Sequence, residues 1–170
     1  MTETETTINK LNEMLGTLIF DRAQFDVDYA LDCVRNAVYN THDLKGAYNI
    51  SDRNRISNAV NYISACLVNI GMSEARLKIK NDWDYGDIIQ QKDHEEILSA
   101  LKHLGFLLPY FNTPAIPANL DAITYQKANA IERILFDLGG VLARLMESWL
   151  YCGDGFASDF DPWNWQGWDN

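Results

Sequence analysis

Residues 127–150, KANAIERILFDLGGVLARLMESWL, decide the fold. Ala128, Ile131, Leu135, Leu138, Leu142, Leu145 and Trp149 recur alternately three and four residues apart, the spacing that lines one face of an α-helix. Ile134, Val141 and Met146 widen that stripe beyond what a two-stranded seam uses. Thr124 is placed to cap the start. Glu132, Arg133, Asp137, Arg144 and Glu147 interrupt the apolar run, so it is not a membrane span. Gly139 and Gly140 adjoin inside it. Two glycines cost about 2 kcal/mol of helix propensity relative to alanine. Either a neighbouring helix approaches closely there, or the helix kinks.

Four shorter segments repeat the pattern. They are Ile8, Leu11, Leu15 and Leu18; Val27, Leu31, Val34 and Val38; Ile56, Val60, Ile63, Leu67 and Ile70; and Ile97, Leu101, Leu104 and Leu108. Asp21 or Asp26 is placed to cap the second, and Ser51 or Asp52 the third, with Gly71 to end it. Pro109 stops the fourth. Loops are expected at 40–49, 83–87 and 113–118. Strand-like alternation is brief, at Leu77 to Ile79 or Ile88 to Ile89. These patterns predict an all-α fold: a bundle of four to five helices over residues 1–151, with the stripes forming its core. A seam between subunits is the alternative reading of the same spacing.

From Cys152 to Asn170 the composition changes to four Asp, three Trp, two Phe, three Gly and no Lys or Arg. A non-helical, acidic, aromatic tail is expected, and such a stretch builds no core of its own. Phe156, Phe160, Trp163, Trp165 and Trp168 are the candidate partner-binding residues. They can insert into a protein partner's pockets, stack on a host-surface glycan, or fold back onto the bundle.

The chain carries 24 acidic and 14 basic residues, a formal charge of −10, which repels nucleic-acid phosphates and anionic membranes. Three widely spaced cysteines, Cys33, Cys66 and Cys152, make no disulfide framework. Cys33 and Cys66 fall on apolar-periodic segments and read as buried free thiols. The polar, acidic start from Met1 to Thr7 is the opposite of a secretory signal. Chemistry finds little footing. Asp154, Asp159 and Asp161 lack the rhythm and closing Glu of an EF-hand. His94-Glu95-Glu96 lacks the second His of a zinc helix, because Leu98 stands there. No nucleophile elbow or phosphate loop is present. No catalytic residue, cofactor or metal is expected.

Several stretches, taken in order, resemble a group of virion structural proteins encoded by phages and prophages of Gram-positive bacteria. Asp21 to Asp28 is similar to the group's DRTxxDV opening. Leu44-Lys45-Gly46-Ala47-Tyr48-Asn49 and Asp52 to Ile56 resemble LKGAYNxxDLNRV/I, with Arg53 where Leu is usual. Lys80 to Trp83, with Gly86-Asp87-Ile88-Ile89, resembles KTDWxxxDIxT, and the same residues echo the WxxGDxI openings of phage fibre and baseplate proteins. Leu120, with Thr124 to Leu135, matches LTYxxANxIEKIL, and Tyr151 to Ala157 resembles a terminal YSGExYxGE, both of whose Glu positions depart here. The resemblance implies a non-enzymatic tail- or baseplate-associated component, made in the host cytoplasm and incorporated into the virion. Its partners would be other virion proteins and further copies of itself. Tail, neck and head-decoration roles are not separated by these motifs, and the Trp-rich end beyond Asp159 lies outside the shared part.

Overall fold

The computed structural model describes residues 3–37, 44–108 and 113–156. It consists of five helices: α1 (Glu3–Gly16), α2 (Gln24–Arg35), α3 (Ile50–Asn69), α4 (Gln91–Leu107) and α5 (Tyr125–Phe156), with a 3-10 turn at Ser73–Ala75. No strand occurs among the described residues. No described helix is long and apolar enough to cross a membrane.

The stripes of α1, α3, α4 and α5 meet in one core. Leu11, Ile56, Ile63, Leu101, Leu135 and Leu138 are among its fully buried members. α5 is the central element, packed against α1, α3 and α4. α1 runs antiparallel to it, since Leu15 lies against Gly139 and the first turn of α1 shares a cleft with Met146. α3 runs parallel to it, from Arg55 beside Glu132 to Asn69 beside Met146. Ile8, Leu11, Leu15 and Leu18 are all buried, as are Ile97, Leu101, Leu104 and Leu108.

α2 departs from expectation. Ala30 and Cys33 are its buried residues, whereas Leu31 and Val34 are 48% and 65% exposed; Val38 lies outside the described residues. The helix has no packing against the other helices comparable to theirs. It is held at its first turn, where the backbone of Gly46 presses on that of Asp26 and Val27 so closely that a Cβ on Gly46 would stand 1.9 Å from the Asp26 carbonyl oxygen.

The helix ends also correct the reading. α3 is capped by Asn49 rather than Ser51 or Asp52: the Asn49 side chain accepts from the N–H groups of Ser51 (2.9 Å) and Asp52 (3.2 Å), and the Asp52 carboxylate accepts from the Asn49 N–H (3.0 Å). α2 starts after Ala23, whose N–H donates to Asp26 (2.8 Å). At the far end of α3, Gly71 takes φ +98°. The N–H groups of Gly71 and Met72 then close onto the carbonyls of Val68 and Leu67, a Schellman ending. Thr124 caps α5 through its hydroxyl, which accepts from the Lys127 N–H at 3.3 Å. α5 continues to Phe156, five residues past Tyr151, so the helix covers the start of the segment expected to be non-helical. Phe160, Trp163, Trp165, Trp168 and Pro109 lie outside the described residues.

The Leu77 to Ile79 alternation forms an extended segment that pairs with a helix instead of a strand. Asn61 of α3 grips the Ile79 peptide from both sides, donating to its carbonyl and accepting from its N–H, each at 2.9 Å. Asn54 does the same to Trp83, again at 2.9 Å twice. The Ser64 hydroxyl bonds the Ala75 carbonyl (2.6 Å) and the Leu77 N–H (2.8 Å). Polar side chains along α3 thus replace a neighbouring strand.

The two glycines of α5 separate in role. A Cβ on Gly139 would stand 2.4 Å from one methyl of Leu15 and 2.8 Å from the other, whereas on Gly140 it would meet only a guanidinium nitrogen of Arg144 at 4.0 Å. Gly139→Ala should therefore destabilise the fold by about 1–2 kcal/mol, overpacking outweighing the helix-propensity gain. Gly140→Ala should stabilise it by about 0.5–1 kcal/mol. Denaturant titration of both variants reads the two signs, and a shift of both in one direction refutes the close-contact account.

Candidate functional site

Where α3, α5 and the α1–α2 connection meet, four charged side chains are brought together. Arg22 is buried, with acidic partners Asp52 and Glu132 that are equally hidden. Its Nε donates to the Lys45 carbonyl (3.1 Å), and one terminal nitrogen donates to the Ile19 carbonyl and to Asn129 Oδ1 (3.5 Å). The other donates to Asp52 Oδ1 (2.9 Å) and Glu132 Oε1 (2.7 Å). Five donors meet five acceptors. Arg55 clamps Glu132 with two bonds of 2.9 Å and also reaches Asp52. Asn129 grips the Arg22 peptide, accepting from its N–H (3.1 Å) and donating to its carbonyl (2.8 Å), and the Ile19 N–H donates to Glu132 (2.7 Å). Burial works against the charge on Arg55, but the carboxylates of Glu132 and Asp52 outweigh it and hold its pKa above the ordinary arginine value.

A second cationic cluster adjoins. Arg53, 1% exposed, lies over the Trp83 ring at 4.3 Å, and Lys80 lies 4.4 Å from the same ring. Among the described residues Arg53 has no carboxylate at hydrogen-bond distance and its Nε has no hydrogen-bond partner; it touches His94 Nδ1 at 3.4 Å. Burial lowers its pKa. The Tyr48 hydroxyl is likewise buried without a partner among the described residues, and burial pushes its pKa well up.

The stretches that carry the resemblance converge here. Arg22 comes from the first; Lys45, Tyr48, Asp52 and Arg55 from the second; Trp83 from the third; Asn129 and Glu132 from the fourth. None of these charges had been singled out as functional. The signal was present for Glu132, four residues after Ala128 and three before Leu135, inside the apolar arc of α5. A cleft of about 380 Å³ opens beside Arg22, Tyr48 and the first turn of α5. Since every Arg22 donor is engaged internally, that wall presents no free charge to a ligand. Among the described residues no group of His, Cys, Asp and Glu is placed to hold a metal. Cys33 and Cys66 are buried free thiols, the latter pushed up to about 11 by burial.

The outer surface carries the other distinctive features. On α2, Phe25 (76%) and Tyr29 stand exposed on one side of Asp28 and Asp32, with Leu31 and Val34 on the other. Ile88 and Phe106 are both 83% exposed, and Tyr85 is also outside. These are large apolar side chains left uncovered by the fold.

Two measurements test the interior. Glu132→Gln leaves Arg22 and Arg55 short of a buried countercharge and should cost about 3–5 kcal/mol; a thermal melt unchanged from the parent would refute the network's role. The His94 imidazole is held below its ordinary 6.5, chiefly by burial and then by Arg53. The unfolded chain therefore takes up the proton first, and the native state should lose stability as pH falls through 6.5. His94→Asn should flatten that slope in urea titrations between about pH 7.5 and about pH 5.5. No family model, curated protein or solved structure matched the chain.

Proposed function

We propose that this chain is a non-enzymatic structural subunit of a phage virion, tail- or baseplate-associated, that assembles through its helical faces and an aromatic C-terminal latch. The observation that carries the reading is the ordered set of motif stretches resembling virion proteins. Their charged residues are spent on each other at the centre of the fold, with Arg22 saturated by five acceptors, rather than aimed into a cleft. A subunit built this way has a pinned interior and does its work at its surface. The exposed apolar groups of α2, with Ile88 and Phe106, are suited to contacts formed only on assembly. The acidic aromatic segment beyond Phe156 supplies anchors of the kind that dominate interfaces. Burying such groups between copies on a symmetric particle gives many weak contacts a collective strength.

The test is a phage genome in which this reading frame is cut after Tyr151. Particles are expected to lack the protein or to hold it well below parental occupancy, as read by mass spectrometry of purified virions. Full occupancy of the shortened chain would remove the latch, and absence of the intact protein from purified particles would remove the virion reading itself.

A further inference from the structure

The extended segment after α3 has two sides. Ala75, Ile79 and Trp83 face inward and are buried, while Arg76, Lys78 and Lys80 alternate with them and are exposed. A rise of about 3.3 Å per residue sets neighbouring cations of this row roughly 7 Å apart. The row is rigid, because Asn54, Asn61 and Ser64 hold its peptides to α3. Lys80 is engaged, 2.7 Å from Asp87 and stacked on Trp83. Arg76 and Lys78 have no hydrogen-bond or ion-pair partner among the described residues. Two adjacent unmatched cations are conspicuous on a chain of charge −10.

An occupant for this row must be acidic and must tolerate, or use, cations against its side chains. Residues 157–170 fit: they hold Asp159, Asp161 and Asp169, Phe160 and three tryptophans, and no Lys or Arg. Cations on tryptophan faces already occur in this fold, at Trp83. The alternative apolar surface, α2, presents Asp28 and Asp32 and would repel this segment. α5 also delivers it to the right end of the molecule. Met146 lines a cleft with Asn69 and Ile70, at the end of α3 from which the row departs. α5 then runs on to Phe156, about 15 Å further at 1.5 Å per residue. α5 itself therefore ends beyond the Asn69 end of α3, and the fourteen residues that follow it in sequence have a reach of up to about 50 Å.

Resting on the particle reading above, we infer that residues 157–170 of one copy bind the Arg76–Lys78 row of a neighbouring copy. The contact is head-to-tail, a surface meeting a different surface, so it propagates into rings or stacks rather than closing a pair. It joins charge pairing to stacking of Arg76 and Lys78 on the segment's tryptophans.

The experiment uses the full chain, with unlabelled and ¹⁵N-labelled protein mixed and equilibrated. A zero-length carbodiimide crosslinker should join Lys78 to Asp159, Asp161 or Asp169 between a light and a heavy copy. Arg76→Glu with Lys78→Glu should weaken self-association by about tenfold or more in sedimentation, with an unchanged thermal melt because both side chains are exposed. Adding Asp159→Lys and Asp161→Lys should restore it. Crosslinks confined to single copies would mean that the segment covers its own bundle, and would overturn the inference. So would a protein that neither associates nor crosslinks, or a charge-reversed variant that associates as the parent does. Purified virions separate the two readings. Charge-dependent association of a protein absent from particles refutes the virion role alone, and full particle occupancy of the charge-reversed variant refutes the receptor row alone.

Discussion

Arg22 is the residue on which the rest of the structure depends. A guanidinium out of water is tolerable only when its donors and its charge are both matched, and here the five acceptors come from the α1–α2 connection, the turn before α3, α3 itself and α5. Satisfying one side chain therefore fixes four parts of the chain relative to each other. Asp52 carries this further, since the carboxylate that meets Arg22 and Arg55 also completes the cap of α3. An apolar core alone allows helices to slide by a turn at small cost; a saturated arginine does not. Arg22, Arg55, Asp52 and Glu132 give this bundle its register, while Leu11, Ile63, Leu101 and Leu138 give it its driving force.

Much of the architecture was legible because it is periodic. The stripes of α1, α3, α4 and α5 are broad and fill one core, so their spacing translated directly into helices. α2 carries the same spacing and misled, because periodicity reports that a face exists and not that anything covers it. The covered face of α2 is the one with Ala30 and Cys33, and its first turn meets Gly46 from 19 and 20 residues further along the chain, a contact that no local pattern encodes. Leu77 and Ile79 were legible as extended chain, yet their partner is a helix, and the asparagines that serve as its edge look like ordinary surface polar residues in sequence. Caps slipped by a few residues for a similar reason: Asn49, Ser51 and Asp52 can each cap a helix, and the choice depends on Asp52 being wanted by Arg22.

The candidate site was the least legible part. Charged residues within helical segments suggest solvated faces, and here three arginines are wholly or largely withdrawn from water. Arg53 shows how particular that can be. It occupies a position where the resembling proteins carry leucine, and Trp83 accommodates it by offering its π-face in place of a carboxylate. The surface of the described residues, by contrast, was poorly resolved by pattern but is simple in composition: an acidic, apolar α2 and a cationic row behind α3. On a chain of net charge −10, such sorting of charge by region bears on the orientation of an encounter more than on its strength.

The separations within the central network bear on when the fold can form. Arg22 finds Asn129 and Glu132 more than a hundred residues downstream. A ribosome making this chain releases Arg22, Asp52 and Arg55 long before either partner exists. Until the first turns of α5 emerge, Arg22 and Arg55 have only Asp52 of their two network carboxylates, so the guanidinium left without a countercharge must stay hydrated. The register of the bundle is thus set late, by the first turns of its longest helix.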